Sequence, residues 1–109
     1  MRKSAVFLLV LLLAAVSCRR HDIRTVLIRV PQMKNEVCVE EVRRALARVD
    51  GVRKAETAFD LERRHVTVTY DSLKLSMKNI EFAVAEAGFA ANEVPADDKA
   101  RAALPEACR

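Results

Sequence analysis

The sequence predicts an α+β fold. Two helices lie on one face of a four-stranded antiparallel sheet, in the order β-α-β-β-α-β, and a tail with a short helix follows. Three observations predict it. Thr25–Val30 and His65–Tyr70 alternate apolar with polar residues and are rich in β-branched side chains, the pattern of half-buried strands. Two other stretches, after Asn35 and after Ser76, repeat apolar residues three and four apart, the pattern of amphipathic helices. The chain has only two glycines, Gly51 and Gly88. Each stands where one of those helical repeats must stop.

Taken in order, Val26, Ile28 and Val30 define the buried face of the first strand, and Pro31–Lys34 reads as a loop. Asn35 is a good N-cap, and Glu36 in the first turn suits the helix dipole. Val39, Val42, Leu46 and Val49 form the inner stripe of the first helix. Val52–Phe59 reads as a second strand, less regular than the first, and a polar connection over 60–64 makes a hairpin with the third, which buries Val66, Val68 and Tyr70. Ser76 caps the second helix, with Met77, Ile80, Val84 and Ala87 inside. Phe89–Val94 completes the set as a short last strand, and Pro95 closes it. The ordered part is near 70 residues, so the core is small.

Both ends need separate treatment. Arg2 and Lys3 precede an unbroken apolar run of 12 residues, Ala5–Val16. This is the layout of a secretory signal, and the run is short for a membrane span. Ala15-Val16-Ser17-Cys18 resembles a bacterial lipobox, in which the cysteine is lipidated. An ordinary signal peptide with an incidental cysteine is the plainer alternative. The expected division is 1–17 signal, 18–24 tether, 25–94 domain and 95–109 tail. In the tail, Ala100, Ala103 and Leu104 give a short helix a narrow apolar stripe. Phe82 lies about 200° round the second helix from Ile80 and so faces away from the sheet. Ala100 and Leu104 are expected to cover it.

Without Arg2 and Lys3 the 19 basic residues fall to 17 against 15 acidic, a net +2. No long basic stripe is present, which excludes nucleic acid as a partner. Export means an oxidising compartment, where a free thiol requires an explanation. With Cys18 lipidated, Cys38 and Cys108 are the two remaining thiols of three. Two thiols make one disulfide or one two-coordinate metal site.

From about residue 24 to 94 the chain resembles the heavy-metal-associated domain family, the ferredoxin-like fold of copper chaperones and of the periplasmic mercury-binding protein. The residues carrying the resemblance are Val30-Pro31-Gln32-Met33, Cys38, Asp50-Gly51-Val52, Val66-Thr67-Val68-Thr69-Tyr70-Asp71 and Ala87-Gly88-Phe89. The metal loop is degenerate: Gln32 replaces the family's usual glycine, and Asn35 replaces its first ligand cysteine. The tail Ala103–Arg109 also resembles one carried by a subset of bacterial proteins of this fold.

The resemblance implies binding of a soft metal ion (copper, mercury or zinc) and its transfer by thiolate exchange. Only Cys38 inherits a ligand role by position. As the third residue of a helix it has a dipole that favours thiolate, the form that binds metal. Asn35 is a poor ligand for such ions but a good cap. Met33 props the loop from inside, Phe89 packs near it, and His65 faces solvent with no second ligand beside it.

Cys108 is the decisive residue. The last strand runs away from the Cys38 loop, so the tail must return about 20 Å, six residues at 3.3 Å each. The fourteen residues 95–108, with one short helix, cover roughly 25–30 Å. The first reading is therefore a lipid-anchored protein on the periplasmic side of the envelope. It holds a soft ion between Cys38 and Cys108 and passes it to a membrane metal transporter or other envelope protein. The alternative is a structural or interaction module clipped by a Cys38–Cys108 disulfide. An enzyme is not expected, because no base pairs with the lone helix-start thiolate and no Cys-x-x-Cys exists.

Overall fold

A computed structural model describes residues 3–8 and 20–109. Residues 3–8 are helical. Cys18 and the remainder of the expected signal lie outside the described residues. The rest of the chain builds β1 (Ile23–Arg29), α1 (Glu36–Ala47), β2 (Ala58–Asp60), β3 (His65–Asp71), α2 (Met77–Glu86) and α3 (Asp98–Ala102). Short 3₁₀ turns span Lys54–Glu56 and Glu106–Cys108.

β3 is central, with β1 and β2 antiparallel on either side. Val26 pairs with Val68, Ile28 with Val66, and Phe59 with the same Val66 from the other side. Alternation sorts the faces as period 2 requires: Ile28, Val66, Val68 and Tyr70 are buried, while Leu27 faces out. The helices supply Cys38, Val39, Val42 and Leu46 from α1, and Ile80 and Val84 from α2. Met33, Phe89 and Leu104 close the same core.

Two expected strands differ. The stretch 52–59 does not run as one strand: Val52 bridges Tyr70 alone, and only Ala58–Asp60 pairs regularly. Between them the Thr69 hydroxyl donates to the Glu56 carbonyl, and the Thr57 hydroxyl donates to that of Arg53. Side chains here take hydrogen bonds that a ladder would otherwise make, and the backbone coils into a 3₁₀ turn. The expected last strand, 89–94, is also absent, so the sheet has three strands among the described residues, not four. Asn92 sits in the left-handed region at φ 52, and Ala91 and Val94 exchange both backbone hydrogen bonds across it. The chain folds back on itself before it can pair along β1. It meets β1 at one point, where Asn92 N–H donates to the Arg29 carbonyl and Asn92 Oδ1 accepts from Arg29 N–H, both at 2.9 Å.

Both helix starts are capped as the sequence indicates. The Asn35 side chain accepts from Cys38 N–H, and Ser76 with Asn79 forms a reciprocal capping box. Met77, expected inside, is the first residue of α2 and is 39% exposed. The tail begins with Asp97 N–H donating to the Ala85 carbonyl, and the Asp97 side chain caps α3. It does not cover Phe82, which remains 51% exposed. Instead the backbone of Ala100 and Arg101 packs directly on Gly88.

Asp71 ties the end of β3 to the segment before β1. Its carboxylate meets His21 Nδ1 at 3.1 Å and accepts from the Leu73 and Asp22 N–H groups. These bonds, that of His21 foremost, hold its carboxyl below the usual carboxylate range. A nearby Ser72 hydroxyl does the same for Asp22.

Two outcomes are expected. Gly88 stands at φ +101, and a Cβ there would lie 2.8 Å from the Arg101 nitrogen. Gly88→Ala is expected to lower stability by about 2–3 kcal/mol, combining left-handed strain with displaced tail backbone, as read by urea unfolding. The depressed Asp71 pKa stabilises the fold above the unfolded value of about 3.9, and that contribution disappears as pH falls through the folded value. Asp71→Asn is expected to narrow the gap between urea midpoints at pH 6 and pH 3.

Candidate functional site

The loop before α1 is built from inside. Val30 and Met33 are fully buried, and Met33 N–H donates to the Val30 carbonyl. Asn35 is extended, at φ −152, and its Oδ1 accepts from Cys38 N–H at 3.1 Å. Position 35 thus serves the first turn of α1 as a cap and contributes no sulfur. Cys38 points from the third position of α1 into the core and is fully buried.

Cys108 is brought to the same place by the tail. α3 ends at Ala102, Pro105 starts the 3₁₀ turn, and Cys108 N–H donates to the Pro105 carbonyl at 2.8 Å. Leu104 packs into the core one turn earlier. The Cys38 and Cys108 sulfurs are bonded at 2.10 Å, with Cα atoms 5.6 Å apart, across a sequence separation of 70. Both residues are wholly buried. The return path therefore runs down the C-terminal end of α2, over Gly88, to the start of α1.

Gln32 is the residue whose part the sequence did not disclose. There it reads only as a departure from glycine. Its side chain is buried and fully engaged: Nε2 donates to the carbonyls of Gly88 and Cys108, both at 3.1 Å, and Oε1 accepts from Ala90 N–H at 2.7 Å. One carboxamide thus joins the α1 loop, the turn after α2 and the tail. No spacing rule marks a glutamine for such a task, since its partners lie 56 to 76 residues away.

The other sequence candidates offer no further ligand here, although Met33 and Phe89 share the buried cluster of Cys38 and Cys108. Met33 is in the core. His65 is on β3 and is only partly exposed, with Nε2 3.4 Å from Asp60 Oδ2. Phe89 is fully buried in the core. Among the described residues no group of three or more His, Cys, Asp and Glu side chains could hold a metal ion. The chemistry that this arrangement offers is that of one sulfur pair.

Comparison with known proteins agrees with the architecture. Residues 27–90 match the model of the heavy-metal-associated domain. A mercuric transport protein periplasmic component from Shigella flexneri is 37% identical over 78 residues, 72% of this chain and 84% of that protein. The corresponding protein of Pseudomonas fluorescens is 36% identical over 66 residues, 61% of this chain and 70% of its own. Among solved structures, oxidized MerP from Ralstonia metallidurans superposes with a TM-score of 0.60 at 31% identity, over 64% of this chain and 94% of that one. Mercury-bound MerP gives 0.54 at 33% identity, over the same shares of the two chains. The family match runs from the end of β1 through the Cys38 loop, α1, β2 and β3 to the turn after α2, and the chain belongs to the heavy-metal-associated domain family.

Proposed function

We propose that this protein is an exported carrier of a soft metal ion, held on the periplasmic side of the envelope by lipid on Cys18, with residues 25–94 as its domain. Reduced Cys38 and Cys108 bind the ion as a two-thiolate site. The reading is carried by one observation: a tail foreign to the βαβ core delivers a second sulfur to the start of α1, while position 35 has none. The family's relatives support the choice of cargo, since two are named for mercuric transport and a copper binding domain from HMA7, a P-type ATPase, superposes with a TM-score of 0.59 at 28% identity.

Two thiolates suit mercury(II) and copper(I), which accept two soft ligands. Zinc is also thiophilic but takes four ligands, and would need two from a partner. Uptake requires prior two-electron reduction of the disulfide by a dithiol of the envelope, which is itself oxidised to a disulfide, because the bonded sulfurs are not thiolates. The Cys38 thiolate, in the first turn of α1, is favoured by the helix dipole. Release then proceeds by ligand exchange to a membrane metal transporter, with no chemical transformation of the cargo and no enzymatic role.

A second reading is favoured by the burial of the bonded pair. In it the disulfide is a permanent clip, and the domain docks other envelope proteins without handling metal. Closing a loop of 71 residues stabilises a small core by about 4 kcal/mol on the chain-entropy account.

Anaerobic reduction followed by titration with mercury(II) or copper(I) tests the first reading. One ion per chain is expected, with the stoichiometry lost in Cys108→Ser. Absence of binding, or binding indifferent to that substitution, removes the proposal. The clip is tested separately. Reduction without metal is expected to lower the unfolding free energy by about 4 kcal/mol, read from urea midpoints. A thiol count on protein taken fresh from the envelope then separates the two roles, since a carrier yields two free thiols and a permanent clip yields none.

A further inference from the structure

We infer that Gln32 is the positioning residue for the second sulfur: its carboxamide holds the Cys108 main chain beside Cys38 whether or not the two sulfurs are bonded. This deepens the two-thiolate reading above and rests on it for its functional meaning.

Hydrogen-bond capacity fixes how the Gln32 carboxamide sits. A carboxamide has two donor protons on nitrogen and acceptor lone pairs on oxygen. Ala90 supplies an N–H, so Oε1 must face it, and Gly88 and Cys108 supply carbonyls, so Nε2 must face them. The partners fix the orientation of the amide without ambiguity. Both donor protons are used, on two segments far apart in sequence. A buried donor stripped of its partner carries a desolvation penalty, so departure of the tail would orphan one of those protons.

None of this depends on sulfur. The Gln32 bond goes to the Cys108 carbonyl, and neighbouring anchors are also main-chain or apolar. Asp97 N–H donates to the Ala85 carbonyl, the Ala100–Arg101 backbone lies on Gly88, and Leu104 is buried. Those anchors hold α3. Among the described residues, the hydrogen bond that joins residue 108 to the loop preceding Cys38 is that of Gln32. After reduction the two thiols therefore stay in one place, and the entropy of bringing them together is already spent before a metal ion or an oxidant arrives.

The test uses the full chain, without metal, equilibrated with dithiothreitol. A reagent thiolate attacks one bonded sulfur, breaking the Cys38–Cys108 bond and forming a mixed disulfide. The second reagent thiol then displaces the protein sulfur and leaves as the cyclic disulfide. Two electrons and two protons finish on Cys38 and Cys108. The equilibrium position reports how strongly the fold holds the two thiols together. Gln32→Ala is expected to shift it toward the reduced form by about tenfold. Gln32→Glu keeps the acceptor for Ala90 but turns an oxygen toward the two carbonyls, and is expected to shift it at least as far. Circular dichroism identifies which variants remain folded. Independently, the reduced wild-type chain is expected to show slowly exchanging Gln32 side-chain amide protons with nuclear Overhauser contacts to Cys108. An equilibrium unchanged within twofold in a folded variant overturns the assignment, as does a freely exchanging Gln32 amide in the reduced wild type. If these shifts appear but the reduced chain takes up no mercury(II), the positioning role stands and the metal reading fails.

Discussion

The return of the tail to the start of α1 is the constraint on which the rest of the molecule depends. The family core supplies a sheet, two long helices and one buried cysteine. The second sulfur lies outside that core, in residues 95–108, and they are not an appendage. Leu104 and Cys108 are members of the same buried cluster as Val42, Val66 and Ile80. Gly88 has no side chain because tail backbone occupies the space. For a domain with a core this small, those contacts are a substantial part of what is buried.

Position 35 and the tail are complementary in this light. A two-sulfur loop at the start of α1 has both ligands local, and its geometry is that of the loop alone. Here Asn35 gives the helix a cap, while the second sulfur comes from a separate segment. The distance between sulfurs then depends on tertiary packing, so anything that loosens the tail alters the site. A buried glutamine bridging three segments is how that dependence is stabilised locally, since each of its bonds replaces one that water would otherwise make.

Much of this was legible from residues, and the remainder was not for identifiable reasons. β1, β3 and both long helices were readable because their patterns are long and regular, and their stops coincide with Gly51 and Gly88. The second strand was not, since threonine hydroxyls at 57 and 69 take over backbone bonding, which alternation does not register. The last strand failed on Asn92, whose tolerance of positive φ turned a plausible extended run into a tight bend. Periodicity places Met77 inward, but it opens α2 with no preceding helical turn beside it and is 39% exposed. The tail was predicted to reach the helical face, yet its contact was with a glycine and not with Phe82. Of the site, the two cysteines were visible as a possible pair. Gln32 was not, because its partners are carbonyls and an N–H that any residue can supply.

The tight bend at Asn92 leaves β1 at the margin of the sheet, and among the described residues only its final residue, Arg29, meets another segment on that side. An unsatisfied margin of this kind is a template on which a neighbouring polypeptide can stack. Here it is short, seven residues, and carries Arg24 and Arg29. Each arginine is paired with a carboxylate of its own chain, Arg24 with Asp22 and Arg29 with Glu93, so an incoming strand meets two ion pairs along the margin before it meets free backbone.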